Sequence, residues 1–279
     1  MSDQGAEAQR TGRAAPSAML RSRAEVPTAR RIVVKVGSSS ISGPNAGQIA
    51  PLVDALAAAH ARGAEVILVS SGAIATGIPF LQLDARPTDL ATQQAAAAVG
   101  QNVLVYRYQE SLDRYGIVAG QVLLTAGDLE QPISRGNAMR AMERLLGLRI
   151  LPIVNENDTV ATHEIRFGDN DRLAALVSRL VRADLLVLLS DIDALYTAPP
   201  GEPGARPIAE VPADDDLSGV RIGDIGAAGV GTGGAATKIA AAKLAADDGT
   251  AVLLTSTAQV AQALSGERVG TWFEATPRS

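Results

Sequence analysis

From Arg30 onward, strand-length apolar runs alternate with longer helical patterns. The runs Ile32–Val36, Glu65–Val69, Ile117–Leu123, Arg149–Val154, Asp184–Leu189 and Thr250–Leu254, with a shorter one at Thr271–Phe273, are rich in Val, Ile and Leu and show little alternation. Strands buried on both faces read this way. Between them the spacing predicts helices over Gly47–Ala61, Thr88–Tyr115, Arg135–Leu148, Asn170–Arg182, Gly234–Asp247 and Ala258–Leu264. In the third of these Met139, Met142, Leu145 and Leu146 fall on one face; in the fourth Leu173, Leu176, Val177 and Leu180 do. Strands and helices alternating at this length need crossover connections. The predicted architecture is therefore α/β, a three-layer αβα sandwich with a mainly parallel central sheet.

Two stretches depart from the pattern. Residues 1–28 have no periodicity and are expected to form a disordered tail ahead of one domain, 29–279. The scattered Arg10, Arg13, Arg21 and Arg23 also fit a small nucleic-acid or membrane arm, the rarer use of such a stretch. Between Tyr196 and Gly233 come Pro199, Pro200, Pro203, Pro207, Pro212 and the acidic run Asp214–Asp216. That segment is expected to be a hairpin or excursion plus a mobile loop, inserted before the last βα pair.

Composition narrows the function. Aromatics are 3% against 47% hydrophobic residues, so the core must be aliphatic. A net charge of −5, with no basic concentration, removes the face a nucleic-acid binder uses to displace counterions. With no cysteine, thiol nucleophiles, disulfides and zinc–thiolate sites are excluded. The two histidines, His60 and His163, are too few and too far apart for a histidine metal site. No apolar run approaches the ~20 residues that span a bilayer, and the N-terminus lacks the apolar core of a secretory signal. The expected location is cytoplasmic, without membrane or nucleic-acid partners.

Ligands of an open parallel sheet bind beyond the carboxyl ends of its strands. The residues just past each predicted strand therefore carry information about chemistry. The first strand runs into Lys35-Val-Gly37-Ser38-Ser39-Ser40, the second into Ser70-Ser71-Gly72-Ala73. The fourth runs into Asn155-Glu156-Asn157-Asp158, with Gly168-Asp169-Asn170-Asp171 later, and the fifth into Ser190-Asp191. The final βα pair is preceded by Gly231-Thr232-Gly233-Gly234-Ala235-Ala236-Thr237-Lys238.

A lysine inside an apolar strand is costly unless it meets an anion, and glycine lets backbone N–H groups approach that anion. Lys35 followed by Gly37 fits this; a lysine snorkelling from a strand end is the plain alternative. Gly231–Lys238 opens directly into a helix whose free N–H groups and positive dipole end suit a phosphate. Lys238 falls in that first turn, where a cation is unfavourable unless an anion lies between. A formal G-x-G-x-x-G at Gly229–Gly234 comes after a polar loop in the last βα unit, so it does not read as a dinucleotide fingerprint. Two lysines on separate βα units, with Asp171 or Asp191 holding their ammonium groups, would stabilise a moving phosphoryl group by charge alone. The residues Ser71, Gly72 and Ala73 suit a carboxylate. Asp158 with the amides Asn155, Asn157 and Asn170 suits an α-ammonium group and a second carboxylate; a solvated turn is the plain alternative.

Taken together, V-V-K-V-G-S, V-S-S-G-A-I-A-T-G, A-A-A-V-G-Q, I-V-N-E-N-D-T-V-A-T-H-E-I, F-G-D-N-D-R-L-A-A-L-V, L-L-S-D-I-D-A-L-Y and G-T-G-G-A-A-T-K resemble the amino acid kinase family, and within it the branch acting on glutamate. The match runs in the family's order from Ile32 to about Phe273. The resemblance implies phosphorylation of the γ-carboxylate of L-glutamate by ATP with Mg2+, giving γ-glutamyl phosphate at the head of proline synthesis. It implies ATP contacts from Lys35, Ser190, Asp191, Thr232, Gly233, Gly234, Ala235, Ala236, Thr237 and Lys238. Glutamate contacts would come from Ser71, Asp158 and Asn170. Lys35 and Lys238 would be the catalytic lysines and Asp171 their organiser, with no protein metal site. It further implies a dimer or tetramer, feedback inhibition by proline, and coupling to glutamate-5-semialdehyde dehydrogenase. Many relatives carry a C-terminal PUA domain for which no counterpart is expected before Ser279. Ala235 stands where methionine is common, and Asp193-Ala194 where Asp-Gly or Lys-Gly is usual. Competing readings are a relative acting on acetylglutamate, aspartate, carbamate or a nucleotide, an idle ligand sensor, and a nicotinamide dehydrogenase.

Overall fold

The computed structural model describes residues 19–160, 170–221 and 234–277. In chain order the strands are β1 (Arg31–Val36), β2 (Glu65–Ser70), β3 (Ala119–Leu124), β4 (Leu151–Glu156), β5 (Leu185–Ser190), β6 (Leu195–Tyr196), β7 (Pro207–Ile208), β8 (Glu210–Val211), β9 (Ala251–Ser256) and β10 (Thr271–Phe273). The helices are α1 (Ile49–Ala61), α2 (Ala73–Gly77), α3 (Leu90–Asp113), α4 (Ala126–Glu130), α5 (Pro132–Gly147), α6 (Asn170–Val181), α7 (Ala235–Asp247) and α8 (Val260–Ser265).

Eight strands form one sheet in the order β3-β4-β2-β1-β5-β9-β10-β8. Every pairing in it is parallel except that of β10 with β9. The strands at its centre have no polar face because helices cover both sides. Alternation along β1 shows how: Ile32, Val34 and Val36 join a core with Leu52 and Leu56 of α1 and Leu104 and Tyr108 of α3. Val33 points the other way, into a core with Leu173 of α6 and Ala241 and Ala242 of α7. Each fully buried aliphatic side chain contributes roughly 1.5–3 kcal/mol. The expected α/β sandwich is the observed one.

Two expectations are corrected. Met139 does not join the apolar stripe of α5; it is 43% exposed, while Ala138, Met142 and Leu146 are buried. Those three stand four residues apart, and a residue one place along is turned away by about 100°. Residues 19–28 do not belong to a tail either. Leu20 and Val26 are buried, and Arg23–Thr28 forms a 3-10 turn. The buried Arg23 guanidinium donates to the carbonyls of Val269 (3.1 Å), Gly270 (3.1 Å) and Ala209, and pairs with Glu210 at 3.0 Å. One arginine and two apolar residues carry no periodicity, so the sequence shows no sign of this anchor. The excursion after β5 does contain a hairpin: β6 and β7 pair antiparallel, Leu195 with Ile208 and Tyr196 with Pro207. The loop expected up to Gly233 lies, from residue 222 on, outside the described residues.

Candidate active site

The alternation that sends Val33 toward α6 and α7 sends Lys35 the same way, at the carboxyl end of β1. There its ammonium nitrogen lies 2.5 Å from Asp171 Oδ1. Lys238 Nζ lies 3.0 Å from Asp171 Oδ2. All three residues are buried, Asp171 to 1% exposure. The carboxylate stands in the first turn of α6, where a helix dipole favours an anion. Lys238 stands in the first turn of α7. Burial alone would raise the Asp171 pKa, but the adjacent ammonium groups of Lys35 and Lys238 outweigh it, and the carboxyl ends below its ordinary value. It stays ionised and holds one lysine on each oxygen. Thr237 Oγ1 lies within donating distance of both the Gly234 carbonyl (2.9 Å) and Asp171 Oδ2 (3.2 Å), and its single proton serves one of them at a time.

The loop after β1 is tied to the end of β5. Ser39 Oγ and Ser40 Oγ donate to the Asp191 carboxylate at 2.9 and 3.0 Å. Of the two aspartates considered as organiser of the lysines, Asp171 is in ion-pair contact with both, while Asp191 braces the Lys35–Ser40 loop from the half-buried end of β5 at Ser190. Gly234 caps α7, and Ala235 and Ala236 begin it. Thr232 and Gly233 lie outside the described residues.

A second, uncharged cluster adjoins the first through the neighbouring residue on α6. Asn170 Nδ2 donates to Ser71 Oγ at 3.0 Å and to Asn155 Oδ1 at 3.3 Å. Asn155 Nδ2 donates to Gln101 Oε1 at 2.6 Å. Ends of β2 and β4 and two helices are thus joined by one chain of side-chain amides. Asn155, expected as a substrate amide, has its donor and acceptor engaged within the protein. Asn157 is taken up locally, its Oδ1 accepting from Thr159 at 2.9 Å. Glycines set the spacing of the helices. A Cβ on Gly100 would stand 1.8 Å from the Ala73 carbonyl oxygen, and one on Gly77 1.9 Å from that of Ala96, so α2 and α3 meet backbone to backbone. Gly72, at φ 99°, makes the turn from β2 into α2.

Beside this chain opens a cleft of about 290 Å³ lined by Ala97, Gln101, Gln121, Leu123, Glu156 and Asp158, among others. Burial pushes the Asp158 carboxyl up to about 6, against a smaller opposing pull from Arg86. The structure therefore brings Lys35, Asp171, Thr237 and Lys238 into one cluster, Ser71 and Asn170 into the next, and Asp158 to the cleft beside it. Gln101 is absent from the site that the sequence predicts. Its signal is a Gly-Gln step interrupting the alanine-rich start of α3, where a helical glycine usually marks close packing.

Residues 30–256 match the model of the amino acid kinase family. Glutamate 5-kinase from Clavibacter sepedonicus is 79% identical over 258 residues, covering 92% of this chain and 98% of its own length. Glutamate 5-kinase from Salinispora arenicola is 56% identical over 260 residues, with 92% of this chain and 70% of the relative aligned. Among solved structures, carbamate kinase from Giardia lamblia bound to AMP-PNP matches 90% of this chain and all of that one, with TM-score 0.65 and 15% identity, a likeness of fold. The chain belongs to the amino acid kinase family and, within it, to the glutamate 5-kinases.

Proposed function

We propose that the chain transfers the γ-phosphoryl group of ATP to the γ-carboxylate of L-glutamate, the first step of proline biosynthesis, with Lys35 and Lys238 flanking the migrating group. One observation carries the division of labour: two ammonium groups from different βα units sit on the two oxygens of one buried carboxylate. Like charges repel, so a fold that converges two of them gains from an anion between or beside them. A γ-carboxylate oxygen attacks phosphorus, the bond from phosphorus to the bridging oxygen breaks, and ADP leaves. The acceptor is already ionised at pH 7, so no general base is needed. Lys238 and Lys35 stabilise charge on the transferring and bridging oxygens. Asp171, held ionised by them, positions both and touches neither substrate.

The remaining nucleotide contacts are assigned to Gly234, Ala235, Ala236 and Thr237 at the start of α7 and to Ser190 and Asp191 at the end of β5, with Thr232 and Gly233 completing them. Ser71 Oγ accepts from Asn170, which leaves its own proton for the γ-carboxylate. Asp158 is assigned to the α-ammonium group. Mg2+ does not fit a protein-built cage: among the described residues no three His, Cys, Asp or Glu side chains gather as a metal site, and Asp171 is engaged by two lysines. A magnesium ion carried on the nucleotide's own phosphates is consistent with this. The acyl phosphate product hydrolyses readily, so the reading includes its prompt use by glutamate-5-semialdehyde dehydrogenase, with proline acting as a feedback inhibitor on a dimer or tetramer in the cytoplasm. Among the described residues no helix is long and apolar enough to cross a membrane.

The test is ADP release with a panel of glutamate, N-acetylglutamate, aspartate and carbamate. Glutamate is expected to give the highest kcat/KM by a wide margin. Equal or better turnover of another acceptor would overturn the assignment.

A further inference from the structure

The amide chain has a fixed polarity, set by a single backbone group. The Glu156 N–H donates to Asn155 Oδ1 at 2.9 Å. A backbone N–H cannot accept, so the oxygen of Asn155 must face it, and the Asn155 NH2 must face Gln101. Gln101 therefore presents its oxygen to Asn155, at 2.6 Å. Its NH2 group is turned the other way. Asn170 is fixed by the same logic: its NH2 faces Asn155 Oδ1 and Ser71, leaving its oxygen turned away. Both outward atoms, Gln101 Nε2 and Asn170 Oδ1, are buried without a hydrogen-bond partner among the described residues. Gln101 is 7% exposed and Asn170 4%.

A buried polar atom left without a partner costs free energy, and a native fold retains one where something else supplies the partner. The open ends have opposite character: Gln101 offers a donor, Asn170 an acceptor. A carboxylate satisfies the first and an ammonium the second, and an α-amino acid carries both on one carbon. Gln101 is among the residues lining the cleft that Asp158 also lines. It lies at the end of the amide chain away from Asp171, and hence away from the lysines where the γ-carboxylate must react.

We infer that Gln101 is a substrate-binding residue whose side-chain NH2 donates to the α-carboxylate of the acceptor, and that the Glu156 N–H–Asn155–Gln101 chain is the device that keeps that donor pointed into the cleft. This rests on the glutamate kinase reading and deepens it. Recognition of the α-carboxylate then depends on a neutral dipole locked by its neighbours. Ser71, Asn170 and Asn155 act in its support, and the close approach of α2 and α3 at Gly77 and Gly100 sets its depth.

The experiment compares L-glutamate with its α-amide, which keeps the α-ammonium group and γ-carboxylate but has no α-carboxylate. In the wild-type protein, kcat/KM for glutamate is expected to exceed that for the α-amide by on the order of 10- to 100-fold, the scale of a hydrogen bond to a charged group in a buried site. Gln101→Glu keeps an oxygen for Asn155 Nδ2 and replaces the donor with a second oxygen. At pH 8 it is expected to raise the glutamate KM about tenfold or more, to collapse the preference over the α-amide, and to leave the ATP KM within about twofold. A wild-type protein that uses both acceptors equally overturns the inference, as does a folded Gln101→Glu protein that keeps the preference. If the wild-type protein releases no ADP with either acceptor, the kinase reading itself fails and takes this inference with it.

Discussion

Consecutive residues on α6 serve two centres of opposite electrical design. Asp171 anchors a cluster of full charges, with ammonium groups 2.5 and 3.0 Å from its two oxygens. Asn170, one residue earlier, belongs to a chain of neutral amides ending at Gln101. On the proposed assignment, the difference reflects the task of each centre. Charge that moves during a reaction is stabilised best by fixed charges that need not reorganise. A substrate that must be told from near relatives, and then released, is better met by oriented dipoles, which lose a great deal when unpaired and gain modestly when paired.

The sharpest way to break this comparison is to remove the anion between the lysines. Asp171→Ala leaves two buried ammonium groups facing each other, and loss of one partner of a buried ion pair costs about 3–5 kcal/mol. Denaturant unfolding is expected to show that loss together with near-complete loss of turnover. Full stability in the variant would mean that the lysines are held by something else. Next comes Lys238→Ala, which keeps the Lys35–Asp171 pair. The fold should survive and kcat should drop ~10²-fold or more, as when one preorganised charge contact is deleted. An unchanged kcat would take Lys238 out of the mechanism.

The neutral centre should respond differently. Gly100→Ala puts a methyl group where the Ala73 carbonyl stands, 1.8 Å away, so α2 and α3 must part. We expect about 1–3 kcal/mol of lost stability, as overpacking costs, and a raised glutamate KM with little change in that for ATP. Parallel rises in both KM values would mean the two centres are not separable. The smallest effect is a pH dependence. Because burial holds the Asp158 carboxyl up to about 6, it is protonated in the free protein below that pH and cannot pair with an ammonium. The glutamate KM is expected to rise roughly eightfold from pH 6.5 to 5, and Asp158→Asn should raise KM throughout and flatten that limb. On stability the sign runs against the wild type. Its folded-state pKa lies above the ordinary 3.8, so the folded protein binds more protons between about pH 4 and 6 and loses stability as pH rises through that window. The asparagine variant should not show this loss.

The charged centre was legible in the sequence, and the neutral one only in part. Lys35 announces itself because a lysine in an apolar strand is out of place, and Lys238 because it opens a helix after a glycine-rich loop. Asp171 gives a weaker hint, and its contact with both lysines singles it out over Asp191. Gln101 gives only the faint sign of the glycine before it, since a glutamine within an alanine-rich helix otherwise looks like any solvated face. Its role comes from Asn155, distant in the chain, and from a backbone N–H whose direction no residue type encodes. The long elements were readable because Val, Ile and Leu runs with helix-length spacers admit few architectures. α2 and α4, five residues each, and the two-residue strands β6, β7 and β8 are too short to show a period. They are set by the tertiary contacts they make.

The Arg23 anchor has a consequence for how the molecule is assembled. Its carbonyl partners at Val269 and Gly270 lie 246 and 247 residues further along. During synthesis the central strands can pair while the early segment waits, since two of the carbonyls that hold it emerge almost last. Closing so wide a loop is slow relative to local pairing. The clasp should therefore be a late event in folding, and among the first links to open under a pull on the amino end.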